Sequence, residues 1–146
     1  MNLIFPDDLI KLTLSYLPRS VPTNLGWRGW TSARLRLGML ASLGEGWDGK
    51  SAKAPGAQTI AFVSQQIIRL QQSGFPAPTI NPSADGAIYV EWHDCDLDIE
   101  IVFERPYVVF AIADDIRKEM ASLDAEGDSI DIANLALQTL HTRSQA

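Results

Sequence analysis

A chain of 146 residues, 46% hydrophobic and 21% charged, has the size and make-up of one soluble globular domain. Its net charge of −6 is divided unevenly: residues 1–78 carry eight Lys/Arg against four Asp/Glu, and residues 79–146 carry four against fourteen. One cysteine excludes an internal disulfide, no apolar run is long enough to span a bilayer, and an acidic half attracts basic surfaces while repelling nucleic acid.

The first helix is expected over about 6–17, where Pro6-Asp7-Asp8 suits a helix start and Leu9, Leu12, Tyr16 and Leu17 recur at helical spacing. Met1–Phe5 is apolar but lacks the basic flank of a secretion signal, so a cytoplasmic protein is expected. Arg19 to Trp30 reads as a loop, with Pro22, Asn24, Gly26 and Gly29. Thr31 or Ser32 then caps a helix over about 31–43 that aligns Leu35, Met39, Leu40 and Leu43. A third helix, about 55–73, aligns Ile60, Val63, Ile67 and Leu70, and Gly74 closes it. Pro76, Pro78 and Pro82 impose an extended passage.

Beyond Gly86 the hydrophobic period changes to two. Strands are expected over about 87–93, 96–104 and 107–113, joined by tight turns at Asp94-Cys95 and Arg105-Pro106. Residues 114–127 fit a short helix or a fourth strand equally. A closing helix over about 129–143 is capped by Asp128 or Ser129 and buries Ile130, Ala133, Leu137 and Leu140. The whole is a single α+β domain: helices, a three- to four-stranded antiparallel meander, and a C-terminal helix packed on it.

Asp94, Asp96, Asp98 and Glu100 fall on every second residue, which on a strand spaces them about 6.6 Å apart. With a turn at Asp94-Cys95, Glu91 lies opposite Asp98, a like-charge pair, and Tyr89, Val102, Val109 and Ala111 share that face. Such a face is either a solvated surface or an interface for a basic partner. In the second case Tyr89, Glu91, Asp98, Glu100 and Val109 make contact, with Asp94 and Asp96 at the rim.

Gly26-Trp27-Arg28-Gly29-Trp30 with Arg34 and Arg36 interleaves aromatic and cationic side chains, a pattern that stacks on bases or binds phosphate. The same tryptophans suit a core with the arginines in water. Trp47-Asp48-Gly49 reads as a turn in which Asp48 bonds the following backbone and Trp47 anchors the loop in the core. His93, Cys95, Asp94 and Asp96 are too close in one turn to converge on a metal ion, and no second ligand pair accompanies them. Glu91, Asp98 and Glu100 offer an oxygen set for a divalent cation. G-x-S-x-G, the P-loop and the dinucleotide glycine pattern are absent from the sequence, so no catalytic residue and no cofactor are assigned.

Gly46-Trp47-Asp48-Gly49, the helix opening at Pro55, Pro78-Thr79-Ile80-Asn81-Pro82 with Asp85-Gly86, Val90-Glu91-Trp92 and the Leu97-Ile99-Ile101 strand resemble a group of small uncharacterised bacterial proteins. Their shared pattern is a W-D-G-Y-G-A-like loop, P-x-I-x-P-x-x-D-G, L-E-W and an acidic strand. Lys50-Ser51-Ala52 stands here in place of Tyr-Gly-Ala. The resemblance spans about residues 43–113 and implies the α+β meander and a setting among mobile-element or toxin–antitoxin gene sets. It implies no catalytic residue.

Three functions are therefore weighed. The leading expectation is a non-catalytic protein-binding module, such as an antitoxin, immunity protein or inhibitor, that shows an acidic sheet face to a basic protein. The alternatives are a nucleic-acid-associated regulator acting through Trp27, Arg28, Trp30, Arg34 and Arg36, and a metal-dependent hydrolase on the acidic face.

Overall fold

The computed structural model describes residues 26–146, and the helix expected over 6–17 lies outside them. Three helices pack on one face of a five-stranded sheet: α1 (Gly26–Leu40), α2 (Ala57–Gln72) and α3 (Asn134–Ser144). The strands are β1 (Thr79–Pro82), β2 (Ile88–Asp94), β3 (Leu97–Arg105), β4 (Val108–Asp115) and β5 (Leu123–Gly127). They neighbour one another in chain order and every pair is antiparallel, so the sheet is a meander within an α+β fold. Among the described residues no helix is long and apolar enough to cross a membrane.

Helix α1 begins earlier than its sequence suggests and buries another stripe. Trp30, Ala33, Leu37 and Leu40, spaced three, four and three apart, face the core, while Leu35 is 52% exposed. Gly26 and Gly29 sit inside the helix although glycine disfavours it by about 1 kcal/mol per residue. Burial of Trp30 outweighs that cost, and its Nε1 donates to the Phe75 carbonyl at 2.7 Å. Trp92 fastens the next residue of the same passage, with Nε1 2.8 Å from the Pro76 carbonyl. These two indoles hold the proline-rich link so that Thr79–Pro82 reaches the sheet and pairs with β2, a strand its composition concealed.

Helix α2 buries Thr59, Phe62, Val63, Ile67 and Leu70, close to expectation. It ends at Gly74 (φ 80°), where the Phe75 N–H reaches back to the Leu70 carbonyl at 3.0 Å in a left-handed cap. The closing helix is divided into a 3-10 turn, Ile130–Ala133, and α3. Of the two candidate caps it is Ser129 that serves, its side chain accepting the Asp131 N–H at 3.3 Å. Ile130, Ala133, Leu137 and Leu140 are buried as their spacing requires.

Both β-turns differ from expectation by one residue. The first hairpin turns at Cys95-Asp96, both left-handed (φ 56° and 60°), as tight two-residue loops favour. Asp94 therefore pairs with Leu97, His93 with Asp98, Trp92 with Ile99 and Glu91 with Glu100. The second turns at Pro106-Tyr107 (Tyr107 φ 65°), with Arg105 opposite Val108 but Phe103 opposite Val109, leaving Glu104 as a bulge.

That one extra residue reverses the facing of β4. Val109, Ala111 and Ala113 point into the core, fully buried, and Val108, Phe110 and Ile112 take the outer face. The expectation that Val109 and Ala111 lie beside the acids is therefore corrected. Of the ambiguous stretch 114–127, Asp114 and Asp115 complete β4, Leu123–Gly127 form a fifth strand, and the residues between are a loop gathered around Asp115.

Candidate functional site: the outer face of the sheet

All three helices cover the inner face, so the outer face is bounded by no described element. The register arranges it in rows. Asn81, Tyr89, Val102, Phe110 and Glu126 form one, and Thr79, Glu91, Glu100, Ile112 and Asp124 the next. His93, Asp98 and Asp114 form a third beside the Cys95-Asp96 turn. Tyr89, Val102 and Phe110 thus make a half-buried apolar band, Ile112 beside it is 55% exposed, and carboxylates border them on several sides.

The expected row of four alternating acids is divided. Asp98 and Glu100 stand on the outer face. Asp94 shares the inner-face parity of Trp92 at the hairpin end, and burial pushes its pKa up. Asp96 is in the turn itself, clasped by Arg117 Nε at 2.9 Å. Asp94 and Asp96 therefore do not extend the row, because the Cys95-Asp96 turn interrupts the strand alternation that would align them.

The opposed like-charge pair is Glu91 with Glu100, not Glu91 with Asp98. Asp98 instead meets His93 across the strands, Nδ1 to Oδ1 2.8 Å, and His93 Nε2 lies 3.7 Å from Glu91 Oε2. The Asp98 hydrogen bond, aided by the charges of Asp98 and Glu91, raises the imidazole pKa against the opposing effect of partial burial. Asp114 is 3.7 Å from Lys118 Nζ and accepts from Ser122 Oγ at 3.3 Å. Among the described residues no cation pairs with Glu100, Asp124 or Glu126.

Thr79, Asn81, Phe110, Ile112, Asp114, Asp124 and Glu126 are the members of these rows that sequence reasoning missed. Along Val108–Ala113 both faces are apolar, so alternation by itself could not decide which side was which. The informative sign was Arg105-Pro106-Tyr107, a place for a bulge as well as a turn.

Two members of the basic and aromatic segment at the start of α1 are committed within the fold. Trp30 is buried, and Arg36 donates to the Ile80 carbonyl (2.9 Å) and to Asn81 Oδ1 (2.7 Å), which closes off the β1 edge. Arg34 is exposed, and the side chains of Trp27 and Arg28 lie outside the described ones. No group of three or more His, Cys, Asp or Glu converges to hold a metal ion among the described residues. Burial pushes the Cys95 thiol up, away from thiolate chemistry at neutral pH.

Asp48 is committed to its loop. Its Oδ1 accepts the N–H groups of Lys50 (2.9 Å) and Ala52 (3.2 Å), which lower its pKa. Trp47 is only partly buried, rather than seated in the core, and its Nε1 bonds the Lys53 carbonyl at 2.9 Å. Lys53 N–H in turn bonds the Ala84 carbonyl at 2.8 Å, which ties this loop to the Asp85-Gly86 turn. Gly86 (φ 92°) lies close enough that a Cβ there would meet Ala54 O at 3.5 Å. Two of the motifs that carried the resemblance are therefore halves of one fastening. No family model, no curated protein and no solved structure matches the chain.

Proposed function

We propose that the protein is a non-catalytic binding module that docks a basic protein on the outer face of its sheet, in the manner of an antitoxin, immunity protein or inhibitor. One observation carries this reading: an apolar band of Tyr89, Val102, Phe110 and Ile112 lies uncovered by the described elements and adjoins carboxylates that no described cation neutralises. Desolvated aromatic and aliphatic contacts at the centre of such a face supply affinity, while charges around it steer encounter and select partners. The central contacts are Tyr89, Glu91, Glu100, Phe110 and Ile112, with Asp98, Asp124 and Glu126 around them. The lone, partly buried Cys95 and the lack of any need for a disulfide agree with a cytoplasmic setting.

Charge reversal tests it. The tagged wild-type chain should retain a basic protein from its host's lysate, with association slowing as salt rises. Asp98→Lys combined with Glu100→Lys should abolish retention while leaving the circular dichroism spectrum unchanged. Undiminished retention by the folded double variant would remove the acidic face from the function.

A further inference from the structure

His93 occupies an unusual place on this face. It stands on β2 with Glu91 two residues before it on the same strand and Asp98 directly opposite on β3. Each ring nitrogen looks at a different carboxylate, Nδ1 at Asp98 (2.8 Å) and Nε2 at Glu91 (3.7 Å). A neutral imidazole carries one N–H and can serve one of them. Only the imidazolium serves both.

We propose that His93 is a pH gate on the docking face. Protonated, it acts as an internal counter-ion that occupies Glu91 and Asp98. Neutral, it can bond only one of them and no longer offsets their charge, so that the face meets a basic partner with one more negative charge. The inference rests on the docking role proposed above and adds its regulation.

The surroundings leave His93 in control of those two acids. From β2 come Glu91 and Asp94, and from β3 come Asp98 and, beside Glu91, Glu100. Beyond Asp98, β4 supplies Asp114, which is paired with Lys118, and the turn supplies Cys95 and Asp96, the latter paired with Arg117. On the β1 side the residue opposite Glu91 is Thr79, which has no charge. The two nearby cations are thus held by other acids. The Asp98 hydrogen bond and the charges of Asp98 and Glu91 raise the ring's pKa above 6.5 against the effect of partial burial, and this titration sets the gate. Its sign follows: docking strengthens as pH rises through that value.

The test uses the isotopically labelled chain with a decalysine peptide as the basic probe, titrated at low salt at about pH 5.5 and about pH 8 and followed by amide NMR. The His93 ring should titrate above the ordinary histidine value of about 6.5. The peptide should shift amides of Glu91, Glu100, Phe110 and Ile112, and should bind roughly three- to fivefold tighter at the higher pH, the size of one added unit charge near the contact. His93→Gln should bind equally at both pH values, with the tighter affinity. Asp98→Asn should move the midpoint of the wild-type pH dependence downward. A His93 that titrates at or below 6.5, or a pH dependence shared by His93→Gln, overturns the gate and leaves the docking face standing. No amide shift on the face at either pH overturns both.

Discussion

Asp115 closes β4 at a position where the alternation calls for an apolar side chain, and it is 1% exposed. Its carboxylate is satisfied completely. Arg143 grips it with two nitrogens (2.9 and 2.8 Å), and the backbone N–H groups of Arg117 (3.0 Å), Glu119 (2.9 Å) and Met120 (2.8 Å) complete the cage. The same guanidinium donates to the Cys95 carbonyl at 3.0 Å, so one side chain of α3 joins the β4 loop to the first hairpin. The Arg143 bond holds the Asp115 pKa far below the usual carboxylate range, helped by the three N–H groups and opposed by burial. A depressed folded pKa means this stabilisation is fully present above about pH 4 and fades as pH falls through the folded value. Arg143→Leu, which strands a buried charge, should lower the melting temperature by about 10 °C or more at neutral pH. Asp115→Asn should also melt earlier, and its deficit against wild type should shrink as the scan is repeated toward about pH 2. A constant deficit across that range would deny the carboxylate this role.

At the scale of elements, the bulge at Glu104 is the decisive local event. Without it Val109 would stand outside, and Phe110, with its larger ring, would enter a core already filled by Phe62, Phe103 and Ile101. With it, β4 turns Ala111 and Ala113 inward, which leaves room for the Ile130–Ala133 turn to pack against that strand. The tip of the hairpin is held by Tyr107, whose ring lies 4.9 Å from Phe62 although it is 69% exposed. Two nearby substitutions separate the faces. Val109→Ala should cost about 1.5–3 kcal/mol in denaturant unfolding, as a fully buried side chain loses methyl groups. Ile112→Thr should change stability by no more than about 0.5 kcal/mol while weakening partner retention. Equal costs at both positions would reject the facing described for β4.

Across the whole molecule, the charge imbalance between the two halves survives folding. Most ion pairs among the described residues join groups of the acidic half to one another, and Arg69 with Asp131 at 3.5 Å is the pair that bridges the halves. No described basic residue of the first half forms an ion pair with a carboxylate of the outer face, although Arg36 reaches Asn81 Oδ1 at its β1 edge. Carboxylates crowded on one side of a sheet repel one another and reduce the stability of the isolated protein. Raising the salt concentration at neutral pH should therefore raise its melting temperature by a few degrees through screening, while slowing association with a basic partner. A melting temperature that falls with salt would show that attraction outweighs repulsion among the surface charges.

Much of the architecture was legible in the chain because it is written in local periodicity. The change from period 3.6 to period 2 near Gly86 marks where helices yield to strands. The stripes Val63-Ile67-Leu70 and Ile130-Ala133-Leu137-Leu140 identify buried helix faces, and the alternation of Ile88, Val90 and Trp92 with Tyr89, Glu91 and His93 sets the inner and outer sides of β2. The acidity of the sheet half follows from composition.

Tertiary structure decided the rest, because each remaining question was an equilibrium between local options of similar energy. Whether the turn falls at Asp94-Cys95 or Cys95-Asp96, and whether Glu104 pairs or bulges, depends on which side chains the helices can cover. Asp115 and Arg143 stand far apart in sequence, and nothing nearby in the chain announces that they will meet. The same holds for the acids. Alternation placed four in a row, but the turn, the core and Arg117 removed two of them, while β5 brought Asp124 and Glu126 alongside. Strand alternation is a property of neighbouring residues, whereas a face is assembled from strands that only the completed sheet puts side by side.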